Sequence, residues 1–207
     1  MQCLSHGLDE YADLGFPAVM RRADQVLSRD EERALVGRLQ AGDPDAFAAI
    51  VARYAERLTR FAFYIVGSHD AADDVVQQVW VQLWERRAIV EPDQLTPYLY
   101  RAVRNRALNE QSASAVRERF RANVQAEAAT GTATAAVPSP EDAVLTIAVV
   151  QAAVDRLSDR RRLAIRLRLE EELTHAEIAE ILGVSAVAAQ RLVARAIADL
   201  REILWGV

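Results

Sequence analysis

The pattern with the most specific chemistry lies at residues 174–195, THAEIAEILGVSAVAAQRLVAR. Thr174 with Glu177 three residues later fits a capping box, in which each side chain satisfies the other residue's backbone N–H at a helix start. Ile178, Ala179, Ile181 and Leu182 give that helix one apolar face. Gly183 suits a tight turn, and Ser185 can cap a second helix running through Leu192 to Leu200. Two short helices around a glycine turn form the helix-turn-helix pattern, and Ala179 is small where the helices would cross. Such a unit lays its second helix in the major groove with its first residues at base edges. An ordinary helical hairpin gives the same local pattern, so this segment alone leaves both readings open. A second stretch, 101–121, holds six Arg against two Glu. It offers a local basic face to phosphate within an acidic chain.

Other chemistry is hard to build from these residues. The net charge of −5 argues against nonspecific coating of nucleic acid. The basic side chains other than His are all Arg, spread along the whole chain, which reads as compositional bias. Cys3 is the lone cysteine, so neither a disulfide framework nor a cysteine zinc site is expected. His6, His69 and His175 are dispersed and lack ligand spacing. Asp73-Asp74 reads as an exposed acidic helix face. The sequence has no glycine-rich phosphate loop and no nucleophile motif. We therefore expect no catalytic residue, no metal and no cofactor: a binding protein, not an enzyme. Asp9, Glu10 and Asp13 interrupt any signal pattern, and no run of about 18 apolar residues exists. A cytoplasmic protein without membrane insertion is the expectation.

The elements that must carry these residues are helices. Apolar residues make up 51% of the chain, Gly and Pro are few, and no segment alternates at period two. The fold class expected is all-α, as two small helical domains joined by a flexible linker. Residues 1–28 read as an irregular extension, broken by Gly7, Gly15 and Pro17. Met20-Arg21-Arg22 is an alternative start. A first domain at 29–112 begins with Ser28 as cap and Asp30, Glu31 and Glu32 in the first turn. Gly42-Asp43-Pro44 starts the next helix, whose stripe is Phe47, Ile50, Val51, Tyr54, Leu58, Phe61 and Ile65, ended by Gly67-Ser68. A third helix spans about 70–87, and a fourth runs from about Thr96, with Pro97 in its first turn, through Asn109 or on as far as Arg121. Residues 113–140 are read as linker, since AEAATGTATAAVPSP is small, nearly uncharged and ends in prolines. A second domain follows at 141–207.

With Leu157-Ser158, Arg160 and Arg162 preceding Leu173-Thr174 and Glu177 through Ser185, the C-terminal block resembles region 4 of the sigma-70 family. Leu39 through Phe47 and Ala72-Asp73-Asp74-Val75-Val76-Gln77-Gln78-Val79-Trp80 are similar to region 2. So is Pro97-Tyr98-Leu99-Tyr100-Arg101-Ala102-Val103-Arg104-Asn105-Arg106. Two blocks in this order, with a tether too short for a folded domain between them, resemble the small extracytoplasmic-function (ECF) group. The resemblance implies an RNA polymerase sigma factor, binding core polymerase and promoter DNA and directing −10 melting and transcription initiation. Asp73, Asp74, Gln77, Gln78 and Trp80 would then meet the β′ clamp helices. Tyr98, Tyr100, Arg101, Arg104, Asn105 and Asn109 would meet the melted −10 strand, whose bases stack on aromatics and whose backbone needs cations. The residues alone equally allow Tyr98 and Tyr100 as core residues and the Arg as a solvated face. The loop from Ala88 to Leu95 is where relatives build a pocket for an extruded base. Ser185, Ala188, Gln190, Arg191 and Arg195 would read the −35 element, and this domain would also meet the β flap. Relatives are often held inactive by an anti-sigma factor between the two domains.

The chain departs from the family pattern in places. Relatives read Gly-Thr-Val-Lys-Ser-Arg where this chain has Val187-Ala188-Ala189-Gln190-Arg191-Leu192. Gln78 stands at a usual Glu. From residue 141 onward nine Arg face eleven acids, a net of −2, so weak free DNA binding and reliance on polymerase are expected. The competing reading is a helix-turn-helix regulator that binds operators without polymerase. A sensor domain in that case has no need of the 72–80 helix followed by a Tyr/Arg/Asn helix.

Overall fold

The computed structural model describes residues 29–124 and 147–206. The expectations for 1–28 and for 125–146 lie outside these residues. All regular structure among the described residues is helical. The chain divides into two compact units, one built within 27–137 and one from 138 onward.

The N-terminal unit holds α1 (Arg29–Gln40), α2 (Pro44–Val66), α3 (His69–Glu85), a short 3-10 turn (Arg87–Ile89) and α4 (Leu95–Val124). Helix α2 starts where Asp43 accepts from the amides of Asp45 and Ala46, with Pro44 filling the first helical position. The Arg38 guanidinium, 2.7 Å away, is the main reason the Asp43 carboxyl sits below its ordinary range; the two amides act the same way. Gly67 ends α2 in the left-handed region at φ 73°. Ser68 then caps α3. The core is one stripe from each helix. Ile50, Tyr54, Leu58 and Phe61 of α2 meet Val75, Val79 and Leu83 of α3, and Leu95, Leu99, Tyr100 and Val103 of α4. Helix α1 adds Val36 and Leu39.

Helix α1 also fixes the loop that leads into α4. Arg33 pairs with Asp93 at 2.8 Å, and Gln40 Nε2 donates to the Val90 carbonyl at 2.9 Å. Glu32 accepts from the Thr96 amide at 3.1 Å, which sets a carboxylate at the positive end of α4. Thr96 Oγ1 in turn lies 2.7 Å from the Tyr54 hydroxyl. Burial, and after it the charge of Glu32, pushes the Tyr54 phenol up to about 12.

The sequence reading is corrected at two boundaries. Helix α3 covers His69–Glu85, a little shorter than the expected 70–87, because the chain tightens into the 3-10 turn. Helix α4 runs on to Val124, so 113–124 is helix rather than linker. Those residues contain no Gly or Pro to stop it.

The C-terminal unit holds α5 (Ile147–Asp155), α6 (Asp159–Leu169), α7 (His175–Leu182) and α8 (Ala186–Trp205). The capping box forms as expected: Glu177 N–H donates to Thr174 Oγ1 at 3.3 Å, and Thr174 N–H donates to the Glu177 carboxylate at 2.7 Å. Gly183 takes φ 66° and Ser185 caps α8 through the Ala188 amide at 3.2 Å. The chain turns by 101° between α7 and α8, within the usual helix-turn-helix range. The core is aliphatic: Ile165 and Leu167, Ile178 and Ile181, Val193, Ile197 and Leu200. One charge is buried with it. Arg166 is 3% exposed and donates to Glu170 at 2.8 Å, Gln151 at 3.0 Å and Asp155 at 3.2 Å, so its charge is matched where water is excluded. Among the described residues no single helix is long and apolar enough to cross a membrane.

Candidate polymerase and nucleic-acid interfaces

Helix α3 separates its two faces cleanly. Ala72, Val75, Val76, Val79 and Leu83 are buried, while Asp70, Asp73, Asp74, Gln77, Gln78 and Val81 are exposed. Four of the five residues expected to meet a protein partner therefore lie on one accessible stripe. Trp80 differs. It is half-buried and sits edge-on to Phe47 at 6.5 Å, beside Trp84, which meets Phe47 at 5.3 Å and is covered by the Arg87 guanidinium at 4.6 Å. Its ring belongs mainly to that aromatic cluster.

Helix α4 divides its expected set. Successive positions step by about 100°, so residues two apart face nearly opposite ways. Tyr98, Arg101, Asn105 and Asn109 fall along one side, with Asn105 and Asn109 exposed and Tyr98 and Arg101 half-buried. Tyr100 points the other way. It is fully buried with its ring against Phe61 at 5.1 Å, so its faces are closed to a base in this structure. Arg104 lies on the flank, half-buried, and reaches Asn105 Oδ1 at 3.4 Å. The loop before α4 exposes Ile89 (71%) at its tip and buries Val90 as an anchor.

Sequence reasoning did not find Arg106. Its guanidinium donates to the Gln78 side-chain oxygen and approaches Gln82 Oε1 at 3.5 Å. Gln82 Nε2 donates to the Tyr98 hydroxyl at 3.4 Å. Gln78 and Tyr98, expected to serve two different partners, thus stand at the ends of one chain of side chains across α3 and α4. Among the described residues no carboxylate pairs with Arg106. Position 106 stands one residue after Asn105, and the only signal in the sequence was a further Arg there.

In the C-terminal unit the expected groove residues lie on the outer side of α8. Ser185, Gln190, Arg191 and Arg195 are exposed and Ala188 is half-buried. Among the described residues Arg191 and Arg195 have no ion-pair partner, and 186–195 carries no acid. Their charge is available to a ligand. Ala189 is fully buried on the inner side of α8, so the small side chain at this departure from the family pattern is a packing choice. Among the described residues no group of three or more His, Cys, Asp or Glu is placed to hold a metal ion.

Comparison with known proteins matches residues 50–115 to sigma-70 region 2 and residues 147–200 to sigma-70 region 4. The RNA polymerase sigma factor NccH of Alcaligenes xylosoxydans is 30% identical over 177 residues, covering 84% of this chain and 94% of that protein. The chain belongs to the sigma-70 family. Its relatives place it in the ECF group: the ECF RNA polymerase sigma factor BldN of Streptomyces coelicolor is 29% identical over 178 residues, 82% of this chain and 64% of BldN. Among solved structures, CnrH in complex with the cytosolic domain of CnrY superposes with a TM-score of 0.58 at 25% identity, covering 84% of this chain and 96% of that one. The sigma factor RpoE of Bartonella quintana, bound to the anti-sigma factor NepR, gives 0.55 at 25% identity, covering 76% and 96%. Region 2 of this sigma factor therefore comprises most of α2, α3 and the first part of α4, and α1 is the helix that fixes its loop. Region 4 is the α5–α8 unit. A sigma factor acts in transcription initiation, and α7 and α8 form its helix-turn-helix.

Proposed function

We propose that this chain binds core RNA polymerase and carries it to promoters, with each unit serving separate contacts. Asp73, Asp74, Gln77 and Gln78 on the open stripe of α3 meet the β′ clamp helices, and Trp80 shapes that stripe from behind. Tyr98, Arg101, Arg104, Asn105 and Asn109 meet the melted −10 strand. Ser185, Ala188, Gln190, Arg191 and Arg195 face the −35 element, while the same unit docks on the β flap. The region 2 unit spans 29–124 in this reading, and the tether begins after it. The chain contributes recognition and strand opening, and polymerase contributes the chemistry, so it is not an enzyme by itself. It works in the cytoplasm, where polymerase and chromosome are. CnrH and RpoE were solved with CnrY and NepR bound, and an anti-sigma factor is a partner we assign to this chain as well.

The observation that carries the reading is the pairing of one open polar stripe on α3 with one unpaired Arg/Gln face on α8, in units that match regions 2 and 4 in chain order. Run-off transcription with purified core polymerase tests it. Added protein is expected to give promoter-specific transcripts and to bind core. Operator binding without either result would return the chain to a regulator that works alone. In the same assay Arg191→Ala is expected to lower −35-dependent initiation about tenfold, the scale of one lost base contact, with core binding intact. Loss of core binding by that variant would make α8 structural.

A further inference from the structure

We propose that Val187 is a base-reading residue that takes the C5-methyl of a thymine in the −35 element by apolar contact. The proposal rests on the reading of α8 as the −35 helix and extends it to a residue outside the expected set. Val187 is the second residue of α8. Relative to Val187, Gln190 lies three positions on and Arg191 four, so the three share a face. Ala189 lies about 200° round the helix and is buried, as are Val193, Ala196, Ile197 and Leu200 on its side. The isopropyl group therefore stands away from the core, 57% exposed, on the side where Gln190 and Arg191 are open.

The chemistry suits a thymine. The first residues of a recognition helix meet base edges. In the major groove the donors and acceptors of the bases call for groups such as those of Gln190 and Arg191. Thymine alone adds a methyl, and small apolar side chains are its usual partners. Valine is branched at Cβ and holds essentially one rotamer in a helix, so its methyls reach the groove already placed. Ser185 caps the helix through the Ala188 amide, which holds this first turn in helical geometry. The neighbours are small: Ala186 and Ala194 on the open side leave room for the base edge to approach. An apolar tip beside one amide and one guanidinium makes a mixed reader, suited to an element that contains both thymine and purine.

The experiment uses the full chain assembled with core polymerase. Holoenzyme selects from promoter DNA randomised over the −35 element, and the enriched sequence is resynthesised with deoxyuridine replacing thymine, one position at a time. Deoxyuridine removes only the methyl. The wild-type holoenzyme is expected to lose about fourfold in binding at one such position, the scale of one buried methyl. Val187→Ser, which puts a hydroxyl where the apolar branches stood, is expected to bind the thymine and deoxyuridine promoters equally while keeping its preference at the other positions. Equal binding by the wild type at every position overturns the proposal. So does a Val187→Ser holoenzyme that still distinguishes the two bases, and so does a Val187→Ser chain with weakened core affinity, which would assign the side chain to polymerase. Failure to enrich any −35 sequence overturns the reading of α8 itself and this proposal with it. An enriched sequence that ignores the methyl overturns Val187 alone.

Discussion

In α8 the residues that pack and the residues that face outward are different residues at different phases. Ala189, Val193 and Ile197 are inside, and Val187, Gln190 and Arg191 are outside. Helix α4 does the two jobs with similar side chains. Tyr98 and Tyr100 are the same residue type two positions apart, and one is half-open while the other is core. The region 4 unit can thus change its outer face with little effect on its interior. The region 2 unit cannot, because on α4 tyrosine rings lie both in the core and on the half-open side. Substitutions that separate packing from recognition should behave differently in the two units.

The largest expected effect is at Tyr100. Tyr100→Ala should destabilise the N-terminal unit by about 4 kcal/mol, the usual cost of emptying a buried aromatic site, measured by urea unfolding. Tyr98→Ala should leave stability nearly unchanged and reduce promoter opening, read by permanganate footprinting of the −10 strand. If the two variants have the same stability, the division of α4 drawn above is wrong. Arg166→Ala should cost the C-terminal unit about 3 kcal/mol, because the buried guanidinium's hydrogen bonds to Glu170, Gln151 and Asp155 would be lost together. Calorimetry should show that transition move and the other stay.

A third difference depends on pH. The folded N-terminal unit holds the Tyr54 proton up to about 12, whereas an unfolded tyrosine releases it near its ordinary value of 10.0. Above the unfolded value the unfolded chain gains by ionising, so stability is complete below pH 10 and falls as pH rises toward 12. The loss is on the order of 2 kcal/mol by pH 12, and Tyr54→Phe should remove it in alkaline unfolding followed by circular dichroism. Residues 147–206 contain no tyrosine, so the C-terminal unit should lack this term. The smallest effect is at the capping box. Thr174→Ala should cost about 1 kcal/mol, lowering the C-terminal melting temperature and leaving core binding through α3 intact.

Local rules read much of this fold in advance. The Asp43–Pro44 start and Gly67 end of α2, the Thr174–Glu177 box and the Gly183 turn each depend on residues within four positions of one another, and all were legible. The α8 face was legible because its inner residues keep a single helical period. What escaped was nonlocal or a matter of phase. Residues 98–101 contain two tyrosines and a leucine, so the apolar pattern alone does not choose which tyrosine turns inward; the position of Phe61 on α2 does. The contact of Arg106 with Gln78 joins two helices across 28 positions of sequence. The end of α4 is open in the sequence between Asn109 and Arg121, because no Gly or Pro stops the helix before the small, uncharged linker composition begins. Val187 was passed over because apolar residues are first assigned to cores.

The capping box has a consequence for folding cooperativity. Helix α7 has eight residues, well short of the roughly 12–15 at which an isolated helix becomes even marginal in water. Its ends are tied by Thr174 and Gly183, and its inner face packs mainly against α6 and α8. It cannot nucleate first or outlast its neighbours, so the amides of α7 should exchange with solvent only when the region 4 unit opens as a whole. A promoter reader built this way is either fully assembled or absent, with no half-formed helix to sample the wrong sequence.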